Sequence, residues 1–226
     1  MEEVNFDLIF RFGCEKWLNK LRNKGSIRLN TVKFFQDLKI NKQGDRNEGI
    51  SSIQTILFDT LNLKNGDLAI ELENVSGKLK KRDIKGNLYC VYGARQEDLW
   101  SFYEKKIEKL VSESAIEFST HFLCIHNAKQ FNQRIQNELI RRGYEFDFNI
   151  VRYNDYTKDH RKLDIFDKSD EFSDQKELRY WLKTEGTSHI DVEIGCIKDI
   201  SYKVFTLDEL KTIQLGYTES DFKKML

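Results

Sequence analysis

At 226 residues the chain fits one large domain or two small ones, and it can bury a sizeable core without disulfide or metal staples. Lysines plus arginines balance aspartates plus glutamates at 37 each, which removes any net-charge argument for a polyanionic partner. A third of the residues are charged, yet 16 Phe and 9 Tyr supply large core side chains and argue against disorder.

In chain order, residues 6–12 read as a short apolar strand interrupted by Arg11. Trp17, Leu18 and Leu21 give residues 14–24 helical spacing, and Gly25 is the expected left-handed stop. Residues 26–30 alternate, Ile27 and Leu29 against Arg28 and Asn30, as a half-buried strand does. Thr31 is placed to cap a short helix over 32–38 that carries Phe34 and Phe35. A polar loop covers 39–50. Strands follow at 51–58, 67–73 and 87–92, with Asn-Gly at 65–66 and Ser-Gly at 76–77 as turn signals. Residues 97–111 carry Trp100, Tyr103, Ile107 and Leu110 on one helical face.

A strand at 121–125 precedes an amphipathic helix over 127–142, marked by Phe131, Ile135 and Leu139 and ended by Gly143. Residues 146–153 alternate again and 154–170 form a charged loop. Strands at 175–183 and 190–197 and short helices at 206–213 and 219–226 close the chain. No repeat or low-complexity linker divides it. The expectation is a single α+β domain over 1–226, mainly antiparallel twisted sheets with flanking helices. No Gly-rich phosphate loop follows a strand, which argues against Rossmann and P-loop folds.

Residue usage narrows the chemistry. Residues 78–82, with Lys85 beyond, are locally basic and read as a nucleic-acid patch or, more simply, as the solvated end of a hairpin. Cys14, Cys90, Cys124 and Cys196 lie far apart with no Cys-x-x-Cys pair, and three sit in apolar, strand-like contexts as small hydrophobes. His121 and His126 fall on opposite sides of one predicted strand, so no metal site is expected. The first seven residues lack the basic and apolar regions of a secretory signal, and no stretch is long enough to cross a bilayer. The cytoplasm is the expected location, without a membrane partner. The absence of proline, with many Lys, Asn, Ile and Phe residues, suggests a bacterial genome or mobile element rich in A and T.

Three segments carry candidate chemistry. Arg11 interrupts an apolar strand, where its guanidinium needs water or an anionic or aromatic partner; a solvated edge strand meets the same need. On one strand, Gln175, Glu177 and Arg179 would point the same way, forming either a polar binding row or an ordinary exposed charge pair. The segment 44–49, Gly-Asp-Arg-Asn-Glu-Gly, is a shaped turn with three readings: a surface turn, a weak cation site or a loop over a cleft. Its ligand spacing excludes an EF-hand, and the chain has no Gly-x-Ser-x-Gly elbow and no His-Glu-x-x-His helix.

In order and spacing, these segments resemble a group of uncharacterised bacterial proteins. Their pattern is a Tyr/Phe-Arg-Tyr/Phe strand, a Leu-Tyr-Phe-Asn strand, a Gly-Asp-x-x-Glu-Gly loop and a Gln-Lys-Glu-Tyr-Arg strand. Residues 127–135 look like that group's middle helix and 194–201 like its final strand. The layout is also similar to ADP-ribosyltransferases of the Arg–Ser/Thr–Glu type. That resemblance implies NAD as co-substrate, with Arg11 on its phosphates, Asn30 and Thr31 shaping the nicotinamide pocket, and Phe34 or Phe35 stacking on the ring. Glu177 would be catalytic and Gln175 would face a protein or nucleic-acid acceptor. Leu-Asn-Thr replaces the family's Ser-Thr-Ser in the second motif. The resemblance extends to toxin and phage-defence roles with an antitoxin or inhibitor partner. Two alternatives stand beside it: a non-catalytic binding or sensor module, and a structural mobile-element protein with an exposed apolar assembly patch.

Overall fold

The computed structural model describes residues 6–39, 44–65, 68–117 and 119–210. The first half contains β1 (Leu8–Gly13), α1 (Glu15–Lys24), β2 (Ser26–Thr31), α2 (Val32–Asp37), β3 (Ile50–Asn65), β4 (Leu68–Arg82), β5 (Asn87–Ala94) and α3 (Gln96–Tyr103). The second contains α4 (Glu113–Ile116), β6 (His121–Ile125), α5 (Ala128–Arg141), β7 (Phe146–Ile150), β8 (Arg152–Asn154), β9 (Asp167–Ser169), β10 (Glu177–Leu182), β11 (Ile190–Glu193), β12 (Ser201–Thr206) and α6 (Leu207–Leu210). The class is mixed α+β with mostly antiparallel sheets. No helix among the described residues is long and apolar enough to cross a membrane.

The helices form where local chemistry satisfies their ends. The Gly25 N–H returns to the Leu21 carbonyl at φ +65°, which stops α1. Thr31 accepts from the Phe34 N–H and starts α2, as Asn127 accepts from Gln130 N–H and starts α5. Phe131, Ile135 and Leu139 then recur one turn apart and are fully buried. They pack with Leu18 and Leu21 of α1 against Ile9, Leu29, Val91, Leu123 and Tyr180 of the sheet. The opposite face buries Phe10, Tyr92, Phe122 and Leu99.

Eight strands form the main sheet in the order β11-β2-β5-β1-β6-β12, with β10 and then β7 branching from β5. Along one edge, β5 pairs with β10 from Asn87 to Tyr92. Its other edge is shared. β2 pairs with Asn87 and Leu88, whereas β1 pairs with Tyr92, Gly93 and Ala94. Tyr89, Cys90 and Val91 therefore face a gap where β1 and β2 diverge.

Several predicted elements differ from those observed. Ser76 and Gly77 lie inside β4, paired with Leu57 and Ile56, so they make no turn. The Asn-Gly signal at 65–66 falls partly outside the described residues. The basic run 78–82 lies at the root of the β3–β4 hairpin, with Lys78 paired to Asp159 and Lys81 to Asp83. The helix expected over 97–111 ends at Tyr103, where the chain soon turns through Lys105 at φ +57°. The expected charged loop 154–170 contains β9, which pairs in parallel with β8. The strand expected over 190–197 stops at Glu193, and among the described residues the last strand is Ser201–Thr206. Only Cys90 and Cys124 lie on strands; Cys14 and Cys196 are exposed. Of the closing helices, 207–210 is observed and the one over 219–226 lies outside the described residues.

A Cβ at Gly25 would sit 2.0 Å from the Gly195 carbonyl oxygen, whereas one at Gly143 would meet nothing, although both positions have positive φ. Gly25→Ala should therefore cost about 2 kcal/mol or more, lowering Tm by roughly 4–8 °C. Gly143→Ala should cost only the backbone part, about 1 kcal/mol. Thermal unfolding of the two variants checks the difference.

Candidate functional site

The gap in the sheet opens into a cleft of about 280 Å³. Arg11, Asn30, Phe34, Phe35, Gln175 and Glu177 all border it, although they come from opposite ends of the chain. Register puts Arg11 on the Ile9 and Leu123 side of the sheet, and Glu177 on the Phe10 and Tyr92 side. In a continuous sheet those faces would be separated by the backbone layer. Here they meet one cleft because the sheet is open between β1 and β2.

Thr31 does not line the cleft. Its hydroxyl is the cap of α2 and so orients the helix that carries Phe34 and Phe35. Those two rings meet edge to face at 5.3 Å. Arg11 is half-buried, with its guanidinium carbon 5.4 Å from the Tyr89 ring centroid and no carboxylate partner among the described residues. β1 lies between β5 and β6, so Arg11 does not sit on an edge strand.

A second space of about 340 Å³ adjoins the first between α1, β1 and β2. The two share Arg11, Phe12, Arg28, Asn30, Tyr89 and Ser119. Arg28 is held by both oxygens of Asp191 at 2.8 and 2.9 Å. Exposed Trp17 lines the outer part, with the ammonium groups of Lys16 and Lys20 at 5.3 and 5.5 Å from its ring.

The far wall is a buried ionic cluster. The Arg179 side chain, only 1 % exposed, donates to both oxygens of Glu48 at 2.8 and 3.1 Å, to Glu177 Oε2 at 3.0 Å and to the Ile165 carbonyl. Lys168 Nζ donates to Glu177 Oε1 and to Gln175 Oε1, both at 2.6 Å, and lies 4.5 Å from the Phe172 ring centroid. Arg179 Nε has no hydrogen-bond partner among the described residues. The expected three-residue row on one strand is corrected here. Gln175 ends a 3-10 helix (Asp170–Gln175) and Lys176 turns the chain at φ +41°, so only Glu177 and Arg179 share the strand face. Gln175 rejoins Glu177 through Lys168. Nor is Glu177–Arg179 an exposed pair.

Burial alone would raise the Glu177 pKa, but the charges of Lys168 and Arg179 overcome it and hold the carboxyl down to about 2. Burial dominates for Glu48 and Asp45, which are raised despite the same two cations. Burial would lower Lys168, but Glu177 and Glu48 more than compensate and keep it charged. The site thus presents an ionised carboxylate whose two oxygens are already fixed by cations.

Glu48 and Lys168 are the residues that sequence reasoning did not assign. Glu48 belongs to the Gly-flanked turn 44–49, where Gly49 takes φ +71° and Asp45 and Glu48 are buried. The readings as a surface turn and a weak cation site give way to a cleft wall. Lys168 gave no signal, because β9 is three residues long and lies within a charged stretch. Comparison of the chain with protein-family models, curated proteins and solved structures gives no match.

The lowered Glu177 pKa has a definite pH consequence. Its stabilisation is complete above the ordinary carboxylate value of 4.5 and is lost as pH falls toward about 2. The raised Glu48 and Asp45 act in the opposite sense, favouring the folded state in acid and costing stability as pH rises. Glu177→Gln should therefore lose about 3 kcal/mol relative to wild type near neutral pH, with the gap closing below about pH 4.5. Urea unfolding across pH measures this, and a pH-independent gap would contradict it.

Proposed function

We propose that the chain is an NAD-dependent mono-ADP-ribosyltransferase-like enzyme acting on a protein or nucleic-acid acceptor. The observation that carries the reading is the meeting of Arg11 from the first strand and ionised Glu177 from a late strand at one cleft in a split sheet. Two adjoining spaces joined at an arginine suit a dinucleotide, whose aromatic halves flank a pyrophosphate. A guanidinium with no carboxylate partner among the described residues is the group to receive that pyrophosphate, since it offers bidentate geometry. Phe34 and Phe35 supply a stacking surface for nicotinamide, and Asn30 an amide for its carboxamide.

In this chemistry the bond from ribose C1′ to the nicotinamide nitrogen breaks, and its electron pair leaves with nicotinamide. The acceptor then bonds to C1′ and loses its proton. Positive charge develops on the ribose, and a fixed carboxylate beside it stabilises the transition state. Each Glu177 oxygen retains a second lone pair for a ribose hydroxyl. Lys168 and Arg179 orient the carboxylate before substrate arrives. The same two cations weaken its field at the ribose, and this specifically favours a second reading, a dinucleotide-binding module without turnover.

Thermal shift with NAD and chromatographic assay of nicotinamide release separate the readings. NAD should raise Tm, because binding at 100 times Kd adds about 2.7 kcal/mol to the folded state. Arg11→Ala should abolish the shift. Glu177→Gln should retain it while release falls by about 10²-fold or more. Binding without release in the wild type establishes the module. No shift at saturating NAD, or release unaffected by Glu177→Gln, overturns the enzymatic assignment.

A further inference from the structure

The β3–β4 hairpin has a part that the cleft does not use. Its root is fixed to the body: Ile53 and His160 exchange backbone hydrogen bonds at 2.7 and 2.8 Å, and Ile50 and Ile53 pack with Tyr156 and Leu163. Thr55 and Lys78 both reach Asp159. Beyond them, residues 56–65 and 68–77 form a two-stranded ribbon roughly 30 Å long by strand rise. Among the described residues it has no hydrogen bond or ion pair to the body. An isolated two-stranded ribbon is marginal in water. This one also exposes Leu57 at 78 % and, at its base, Leu79 at 54 %, with Phe58 and Leu72 exposed as well. Both of its edges carry unpaired backbone groups, which are templates for another strand.

The sequence of β4 indicates which strand that is. It reads Leu-Ala-Ile-Glu-Leu-Glu at its start and Lys-Leu-Lys-Lys-Arg at its end, acidic then basic. Laid antiparallel on itself about a two-fold axis, such a strand sets its acidic start beside the basic end of its copy at both extremes. Each opposite-charge cross-strand pair is favourable, and the parallel arrangement would oppose like charges. β3 has no such gradient, with Asp59 and Lys64 its only charged residues. We propose that the chain self-associates through this arm, with the free edge of β4 pairing antiparallel with β4 of a second copy in a two-fold dimer.

Sedimentation of the full chain at low and high ionic strength tests this. The wild type should form dimers that weaken as salt rises. The decisive experiment uses two charge-swapped chains, Glu71→Lys with Glu73→Lys, and Lys80→Glu with Lys81→Glu. Each alone should be monomeric, and their mixture should form a heterodimer. Circular dichroism and Tm near wild type establish that each variant is folded. A wild-type monomer at every concentration, or dimers indifferent to these substitutions, overturns the proposal. So does failure of the two folded swap variants to pair.

Discussion

Arg179 is the constraint on which the rest of the site depends. Its guanidinium is almost completely removed from water, and an isolated buried cation costs several kcal/mol. It is tolerated because Glu48 from the turn after α2, Glu177 from β10 and the Ile165 carbonyl from the segment before β9 converge on it. Lys168 closes the network onto Glu177 and Gln175. Three stretches of chain, around Glu48, around Ile165 and Lys168, and from Gln175 to Arg179, are thereby joined by groups that cannot be left unpaired without a large penalty. One wall of the cleft is the surface of this network.

The other wall arises from a different requirement. β1 and β2 each take part of one edge of β5 and diverge between Leu88 and Tyr92. Divergence opens the sheet, and the polar and charged residues Arg11, Arg28 and Asn30 line the gap beside buried Tyr89. An anchored carboxylate on one side and, on the other, an arginine with no carboxylate partner among the described residues leave a gradient of charge across a small space. Under the function we propose, such an arrangement would suit a ligand that is anionic in its middle and becomes cationic at its reacting carbon. Arg179 Nε, without a hydrogen-bond partner among the described residues, adds a desolvation cost to the cluster.

Much of this was legible in the sequence where chemistry is local. α1 with its Gly25 stop, α2 with its Thr31 cap and α5 with its repeating apolar face follow from capping and periodicity. The pairing of Glu177 and Arg179 on one face follows from strand alternation. What was not legible is long-range. No periodicity marks β9, so Lys168 had no predicted neighbour. Ser-Gly at 76–77 carries the chemistry of a turn, but the pairing of a long ribbon overrides it. Parity alone separates Arg11 from Glu177, and only the split in the sheet returns them to one space.

Glu48 and Arg179 act as one unit that holds the cleft wall. A double-mutant cycle measures it directly, using urea unfolding of wild type, Glu48→Gln, Arg179→Met and the double variant. A coupling of about 2 kcal/mol or more is expected, with the double variant less damaged than the sum of the two single ones. Additivity within about 0.5 kcal/mol would contradict it and reduce the cluster to independent contacts.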